Sequence, residues 1–247
     1  MAGLDPGEGE RPALSRRAAF LRGMRRAPST GAFILICSFV GYGALVHESG
    51  LTLIQALAIA LFVWALPGQV VLVSEMAAGA ALWSAAIGVT LTSVRLMPLV
   101  VVLMPILRGP RTGRLHQLLL SHFCAITIWV ESMQRLPRMS RAERVPYYWG
   151  FCSVLVSTNL VATIVGYEAA ALLTLELAAG LLFLTPLYFV LSMLRASDTP
   201  ADRLALLFGF VLGPLVFVTL PGFELVLSGL VGGTAAYLID RRRRRRT

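Results

Sequence analysis

The sequence predicts an all-α protein, a polytopic bundle of transmembrane helices, and three observations carry that prediction. Of the 247 residues, 57% are hydrophobic and only 14% are charged, whereas soluble domains are about half apolar and a quarter charged. The apolar residues gather into nine runs, most of them close to the roughly 17–25 residues that cross a bilayer. The basic residues are all arginines and cluster between those runs.

Each apolar run is a candidate membrane helix, and the second and fourth are short for a full crossing. In chain order the runs are 31–46, 51–66, 70–90, 93–107, 115–132, 147–166, 170–193, 204–220 and 223–239.

The arginines predict the orientation, because loops rich in basic residues stay in the cytoplasm. They form clusters within 11–26, 108–114, 135–144, 195–203 and 241–246. With all five clusters inside, both termini are expected in the cytoplasm, and the number of crossings is then even. The expected location is a bacterial inner membrane. The fifth run then joins two inside loops, so it is re-entrant or lies along the interface. The sequence predicts about seven or eight spans. In the seven-span alternative, the second run is a half-helix that does not cross the membrane.

Three regions follow from this pattern. Residues 1–29 form a basic cytoplasmic arm, expected to be disordered or interfacial. Residues 30–240 form the transmembrane domain, and residues 241–247 form a cytoplasmic polybasic tail. Six arginines beside a membrane helix are typical of contact with anionic lipid, and we expect that partner rather than nucleic acid.

Two stretches resemble each other and suggest an internal repeat. Leu61–Gly68 and Leu215–Gly222 both end in Leu-Pro-Gly, and a serine and a glycine recur at the same offsets, as Ser74 with Gly79 and as Ser228 with Gly233. The first Leu-Pro-Gly falls at the inner side and the second at the outer side, as an inverted repeat requires. Interrupted segments in corresponding positions are typical of transporter binding sites. Chance similarity between Leu- and Val-rich runs is the alternative.

Arg95 is the arginine outside the five clusters, within the fourth run. An ionised side chain in a membrane costs about 2.5–3.5 kcal/mol on insertion scales, so it needs a partner or a role. Three alternatives stay open: Arg95 binds a substrate carboxylate, forms a structural ion pair, or extends to the outer interface.

The other candidate site residues are polar groups or helix breakers inside apolar runs. Pro67 and Gly68 break one helix and begin another before Gln69, so freed backbone N–H groups there suit an anion, unless the stretch is an ordinary turn. Glu75 is expected to pair with Arg95 or carry a proton, unless it lies at the membrane edge. Asn159 is expected to hydrogen-bond a ligand or a neighbouring helix.

Several chemistries are excluded by missing signatures. The sequence contains no Walker A loop, no HExxH and no GxSxG, so this chain is not expected to bind ATP or to be an enzyme. Its three cysteines are scattered without metal-ligand spacing, and no metal or cofactor is expected. The sequence therefore favours a transporter. The alternative is a non-transporting membrane protein, such as an assembly partner or a lipid-phosphate enzyme.

The chain resembles the AzlC-type branched-chain amino acid permease family over most of its length after about residue 30. The family carries an Ala-Gly-Ala-Ser-Gln stretch, an Ala-Gly-x-x-x-Trp stretch and an Asp/Asn-x-Arg-His motif. Here they are Ala65-Leu-Pro-Gly-Gln69, Ala78-Gly-Ala-Ala-Leu-Trp83 and Ser93-Val-Arg95-Leu96. The family's later Leu-Thr-Asp-Glu corresponds to Leu120-Ser-His-Phe123, and the regions from Trp149-Gly150 and before Pro186 are also similar.

The resemblance implies secondary export of branched-chain amino acids, or in some members methionine, together with a small membrane subunit of AzlD type. Gln69 and Arg95 match family positions directly. Other polar positions differ: Ser93 replaces Asp/Asn, Leu96 replaces His, and His122-Phe123 replace Asp-Glu. These departures leave the substrate and the coupling ion open.

Overall fold

The computed structural model describes residues 15–94, 96–109, 112–196, 200–219 and 224–244. This part of the chain is helical and contains no strand, so the all-α prediction is confirmed for it. The helices are α1 (Arg16–Arg26), α2 (Thr30–Glu48), α3 (Leu53–Phe62), α4 (Leu66–Ala77), α5 (Leu82–Val94), α6 (Met97–Leu107), α7 (Arg114–His122), α8 (Ile126–Arg135), α9 (Arg141–Glu168), α10 (Leu175–Ala196), α11 (Pro200–Thr219) and α12 (Glu224–Arg244).

Within the described residues, three helices are long and apolar enough to cross a bilayer, namely α2, α9 and α11. A fourth crossing results if α5 and α6, which are bent by 59° relative to each other, form one broken span. Helices of 10–13 residues are only about 15–20 Å long, against a hydrocarbon core of about 30 Å. The expectation of seven or eight spans is therefore not confirmed, because several apolar runs fold as short helices.

Helices α2 and α9 pack in direct backbone contact, which glycine makes possible. A Cβ at Gly166 would overlap the carbonyl oxygen of Val40, and a Cβ at Gly43 would overlap that of Thr163. In a membrane, where lipid is as apolar as the helices, such close approach of backbones is a main source of helix association. This pair forms the centre of the bundle.

Helix α10 packs on another side of α2. A Cβ at Gly41 would lie 2.7 Å from the carbonyl oxygen of Ala178. The buried hydroxyl of Ser38 donates to the carbonyl oxygen of Leu181 at 3.0 Å and accepts from the hydroxyl of Thr185. The three helices thus share small-residue contacts and a buried polar link, both typical of membrane helix packing.

Helix α1 lies within the basic arm of residues 1–29. The hydroxyl of Ser15 caps α1 by accepting from the N–H of Ala18 at 3.2 Å. Gly23 lies against the backbone of Tyr147, so α1 docks on the first half of α9. The arm was predicted to be disordered or interfacial; for Arg16–Arg26 the structure shows an ordered helix that a buried glycine face anchors on α9, and residues 1–14 lie outside the described part.

The third run, 70–90, was predicted as one helix and is instead a hairpin of α4 and α5. Gly79 has φ +68°, a conformation that glycine adopts without strain. The N–H of Ala80 donates to the carbonyl of Glu75 at 2.9 Å, and that of Gly79 donates to Met76 at 3.1 Å. This is the Schellman arrangement that ends helices, and it turns the chain back.

The proposed internal repeat is not confirmed. Gly79 ends α4, whereas its counterpart Gly233 lies inside the continuous helix α12. The second Leu-Pro-Gly, at 220–222, lies outside the described residues. The two stretches therefore differ at this glycine.

Candidate functional site

Two helix breaks meet inside the bundle. The first lies between α3 and α4, and the second divides the fifth run into α7 and α8. The Nε2–H of His122 donates to the carbonyl oxygen of Leu61 at 2.9 Å. The rings of Trp64 and Phe123 pack edge to face with centroids 5.5 Å apart. The short helices on either side of the breaks are thereby held against each other.

A small cavity of about 60 Å³ lies where these breaks meet. This is about the volume that two water molecules occupy in the liquid, so a larger solute requires the surrounding side chains to move. The lining residues are mostly apolar: Leu35, Phe39, Trp64, Ala65, Leu66, Pro67, Leu96, Ala125, Ile126, Thr127, Ile128, Leu155, Asn159 and Thr185.

Three helix N-termini border this cavity, those of α4, α6 and α8. Their N-cap residues are Ala65, Leu96 and Ala125, which have no side-chain oxygen to accept a backbone N–H. The first N–H groups of a helix have no partner within it and carry a partial positive charge. All three N-caps line the cavity, so it presents the electrostatics that favour an anion.

Asn159 lines the cavity from α9 and is 2% exposed. Its side-chain oxygen has no hydrogen-bond partner among the described residues. A buried polar atom without a partner lowers the stability of a protein by about 1–3 kcal/mol. A ligand that binds this oxygen would explain why Asn159 is present here. The indole N–H of Trp64 also lacks a partner in the described part. Both residues line the cavity, and each has a buried polar atom without a partner in the described part.

The Pro67–Gln69 stretch is divided between the cavity and the helix break. Pro67 lies in the first turn of α4 and lines the cavity. A Cβ on Gly68 would lie 3.2 Å from the hydroxyl oxygen of Thr92, so this glycine lets α4 and α5 approach closely. Gln69 is fully buried, and its Nε2 donates to the carbonyl oxygen of Val63 at 2.7 Å. Its amide therefore braces the break.

The expected pairing of Glu75 with Arg95 lies outside the described residues. The Oε2 of Glu75 accepts from the hydroxyl of Ser84 at 3.3 Å, across the α4–α5 hairpin. Eight residues separate Glu75 from Pro67, which is about 12 Å along the helix, and Glu75 does not line the cavity. Arg95 lies outside the described residues, although its neighbour Leu96 lines the cavity.

The other end of α8 is fixed by an ionic cluster. The hydroxyl of Tyr147 donates to Oε1 of Glu131 at 2.6 Å. The Nε atoms of Arg135 and Arg26 lie 3.6 and 3.8 Å from the same oxygen. Because these contacts join α8 to α1 and α9, they hold the helix whose N-terminus borders the cavity.

The contribution of α8 was missed at the sequence level. The fifth run was expected to be re-entrant or interfacial, but no candidate site residue was placed in it. The break at Phe123–Ala125 contains neither glycine nor proline, the usual signals for an interruption. The polar His122 just before it, where the resembled family has Asp, was the available signal.

Replacing Gln69 with leucine should destabilise the protein by about 1 kcal/mol, because carbonyl oxygens at the end of α3 lose their buried donor, a loss that is only partly offset by removing the unpartnered Oε1 of Gln69. The measurement is thermal unfolding of purified protein in detergent. Gln134 is an exposed glutamine of α8, so Gln134→Leu is the matched control and should leave the transition unchanged. Equal melting temperatures for Gln69→Leu and the parent protein would contradict the proposal that Gln69 stabilises the helix break.

Comparison with known proteins gives one match. The family described as AzlC protein matches residues 31–173, more than half of the chain. No curated protein and no solved structure matches the chain. The matched segment includes both helix breaks and almost all of the residues that line the cavity.

Proposed function

This chain belongs to the AzlC family, a family of membrane transport proteins, and on that premise we propose that it is a subunit of a secondary transporter that exports branched-chain or related amino acids. The observation that carries the proposal is the cavity between the two helix breaks. Three uncapped helix N-termini border it, and Asn159, whose side-chain oxygen has no partner among the described residues, lines it. Substrate sites in secondary transporters are typically built from broken helices in this way.

An amino acid matches the groups around the cavity. Its carboxylate accepts hydrogen bonds from backbone N–H groups at the starts of α4 and α8. Its ammonium donates to the side-chain oxygen of Asn159. Its apolar side chain contacts Leu35, Phe39 and Leu155, where burial contributes about 0.8 kcal/mol per methylene.

Two further roles belong to the proposal. Arg95, at a position matching the family's motif, adds a positive charge for the carboxylate. Glu75 pairs with Arg95 or relays a proton that drives export. The cavity is too small for an amino acid as it stands, so export requires α4 or α8 to move. Such movement opens the site to each side of the membrane in turn.

The setting of the transporter is proposed as the bacterial inner membrane with both termini in the cytoplasm. Helix α11 has no buried residue, and Trp83 and Met97 are exposed. This apolar surface suits lipid and the small AzlD-type membrane subunit that the family implies. The arginine tail then lies at the inner leaflet, where anionic lipid attracts it.

Efflux from cells tests the proposal. Cells expressing the chain, with and without a small AzlD-type subunit encoded beside it, are preloaded with radiolabelled leucine or methionine. We expect faster efflux of at least one amino acid than from vector controls. Arg95→Ala should lower efflux to the vector level while the amount of protein in the membrane stays constant, since the charge that holds the carboxylate is lost.

Two outcomes would contradict the proposal. The first is efflux equal to that of the vector control for both amino acids, with the protein and its subunit present in the membrane. That result would show that the chain does not export this class of substrate. The second is full efflux by Arg95→Ala. It would show that Arg95 does not hold the substrate, although the proposed export itself would stand.

A further inference from the structure

An open groove of about 580 Å³ lies apart from the cavity, where three of the arginine-rich segments come together. Its walls are the start of α1, the end of α6 with the loop after it, α7, and the start of α9. The lining residues are Arg16, Leu107, Gly109, Thr112, His116, Arg141, Ala142, Val145 and Pro146. We call it the basic groove.

The charges around the basic groove favour an anion. Arg16 and Arg141 line it, and no acidic side chain is among the described lining residues. Glu143, in the first turn of α9, is buried, makes an interaction of its own and does not line the groove. Two guanidinium groups without a lining carboxylate suit the oxygens of a phosphate, which arginine recognises through paired hydrogen bonds.

The positions of these arginines are unfavourable unless an anion is bound. Arg16, Arg114 and Arg141 are the first residues of α1, α7 and α9. A helix N-terminus carries partial positive charge and is stabilised by acidic groups, so a basic residue there has the wrong sign. The groove is bordered by two of these residues and by the N-terminal turn of α7. A bound anion is attracted both by the arginines and by the helix N-termini, and it offsets their mutual repulsion, which in α9 Glu143 already reduces.

A histidine adds a polar group to the same groove. His116 lines the groove, and the indole N–H of Trp149 donates to its Nε2 at 3.3 Å. Thr112 also lines the groove, and its hydroxyl oxygen accepts from the N–H of Gly109 at 2.9 Å. Polar contacts therefore surround the two arginines.

The surroundings of the groove match a lipid better than a free anion. Leu107 and Val145 give the groove apolar walls. On α7, Leu115, Leu118 and Leu119 share one face and are 72%, 65% and 46% exposed. This spacing is typical of a helix lying at the membrane interface with its apolar face toward acyl chains. A second open groove of about 600 Å³, mostly apolar, lies further along α7 against α6.

We propose that the basic groove binds the phosphate of an anionic phospholipid headgroup, with the acyl chains against α6 and α7. Arg16 and Arg141 contact the phosphate oxygens, and α1 is thereby tied to α9 at the membrane surface. Basic pockets at the membrane-facing ends of helices are known to take such headgroups. This site is separate from the transport cavity and from the arginine tail.

Native mass spectrometry of the purified full-length chain tests the site. The protein is titrated with dioleoylphosphatidylglycerol, with dioleoylphosphatidylcholine as the zwitterionic comparison, and separately with inorganic phosphate. The variant is Arg16→Gln with Arg141→Gln. Its matched control is Arg17→Gln with Arg138→Gln, two exposed arginines that do not line the groove. Both double variants lower the net charge by two and retain the arginine tail. General electrostatic attraction of anionic lipid, and lipid binding at the tail, are therefore the same in the two.

We expect one phosphatidylglycerol to bind the parent protein and the control with similar affinity. The groove variant should bind it about 10- to 30-fold more weakly, since each arginine near a lipid headgroup contributes about a factor of five. If the double variant does not fold, the single Arg141→Gln variant should still weaken binding about fivefold.

Three results would overturn the site. The control losing as much affinity as the groove variant would mean general charge attraction. Equal binding of phosphatidylcholine would mean that the negative charge is not recognised. Inorganic phosphate displacing the lipid at equal concentration would mean a site for the free anion.

Discussion

Replacing Gly166 with valine should prevent the chain from accumulating as folded protein in the membrane. A Cβ at this position overlaps the carbonyl oxygen of Val40 on α2. That obstacle is backbone, which cannot rotate away as a side chain can, so α2 and α9 must separate. Overpacking of a core usually costs about 1–3 kcal/mol, and separating the central helix pair costs more. The measurement is the yield of monodisperse protein after extraction in mild detergent.

Gly180→Val is the matched control for this variant. Gly180 lies in α10, and nothing stands within 4 Å of the Cβ that would be added. Both substitutions replace a helical glycine with the same β-branched residue, so the change in helix propensity is the same, a gain of a few tenths of a kcal/mol. The control should accumulate normally. Normal yield and melting temperature for Gly166→Val would show that α2 and α9 do not pack as described.

The apolar runs could be predicted from the sequence because hydrophobicity is a local property. Long helices such as α9 correspond to long apolar runs, although α9 also contains Pro146 and two glycines. The arginine pattern predicted that the basic segments share one side of the membrane. The structure brings Arg16, Arg114 and Arg141 to neighbouring helix starts, as a shared membrane side requires. That the side is the cytoplasmic one stays a prediction.

A helix break could be predicted from the sequence only where a helix-breaking residue such as proline marks it. Pro67 marked the break before α4, and its place on the cavity wall agrees with a role for that break. Gly79 lay inside a long apolar run, and its positive φ depends on the Schellman turn that the fold imposes. The break before α8 has no glycine or proline to mark it, because it depends on Phe123 and His122 packing against a segment about 60 residues away.

The arrangement of the candidate site residues could not be predicted from the sequence, and the roles of all of them, Pro67 and Asn159 included, stay predictions. Pro67 and Asn159 come together on the cavity wall, whereas Gln69 bonds to the backbone beside it and Glu75 lies further along α4. A single sequence gives no distance between polar residues on different helices. The roles proposed for Gln69, Glu75 and Arg95 stay predictions.

Replacing Asn159 with leucine should lower amino-acid export about 10- to 100-fold and, at the same time, stabilise the protein. The export loss follows because the ammonium of the substrate loses its acceptor, and a hydrogen bond to a charged group contributes about 1.5–3 kcal/mol. The stability gain follows because the side-chain oxygen of Asn159 is buried without a partner among the described residues. Removing it ends a desolvation cost of about 1 kcal/mol or more.

The two measurements together separate the alternatives for Asn159. Initial efflux rates at equal amounts of membrane protein report the substrate contact, and thermal unfolding in detergent reports stability. Thr163→Val is the matched control, because Thr163 is buried one turn further along α9, bonds only within its helix at 2.9 Å and does not line the cavity. It should leave export unchanged. A residue that merely links helices would give the opposite result for Asn159→Leu, a lower melting temperature with export retained by the protein that folds. Loss of export with a raised melting temperature is expected only where an unpartnered group is kept for its ligand, since selection for stability alone would remove it.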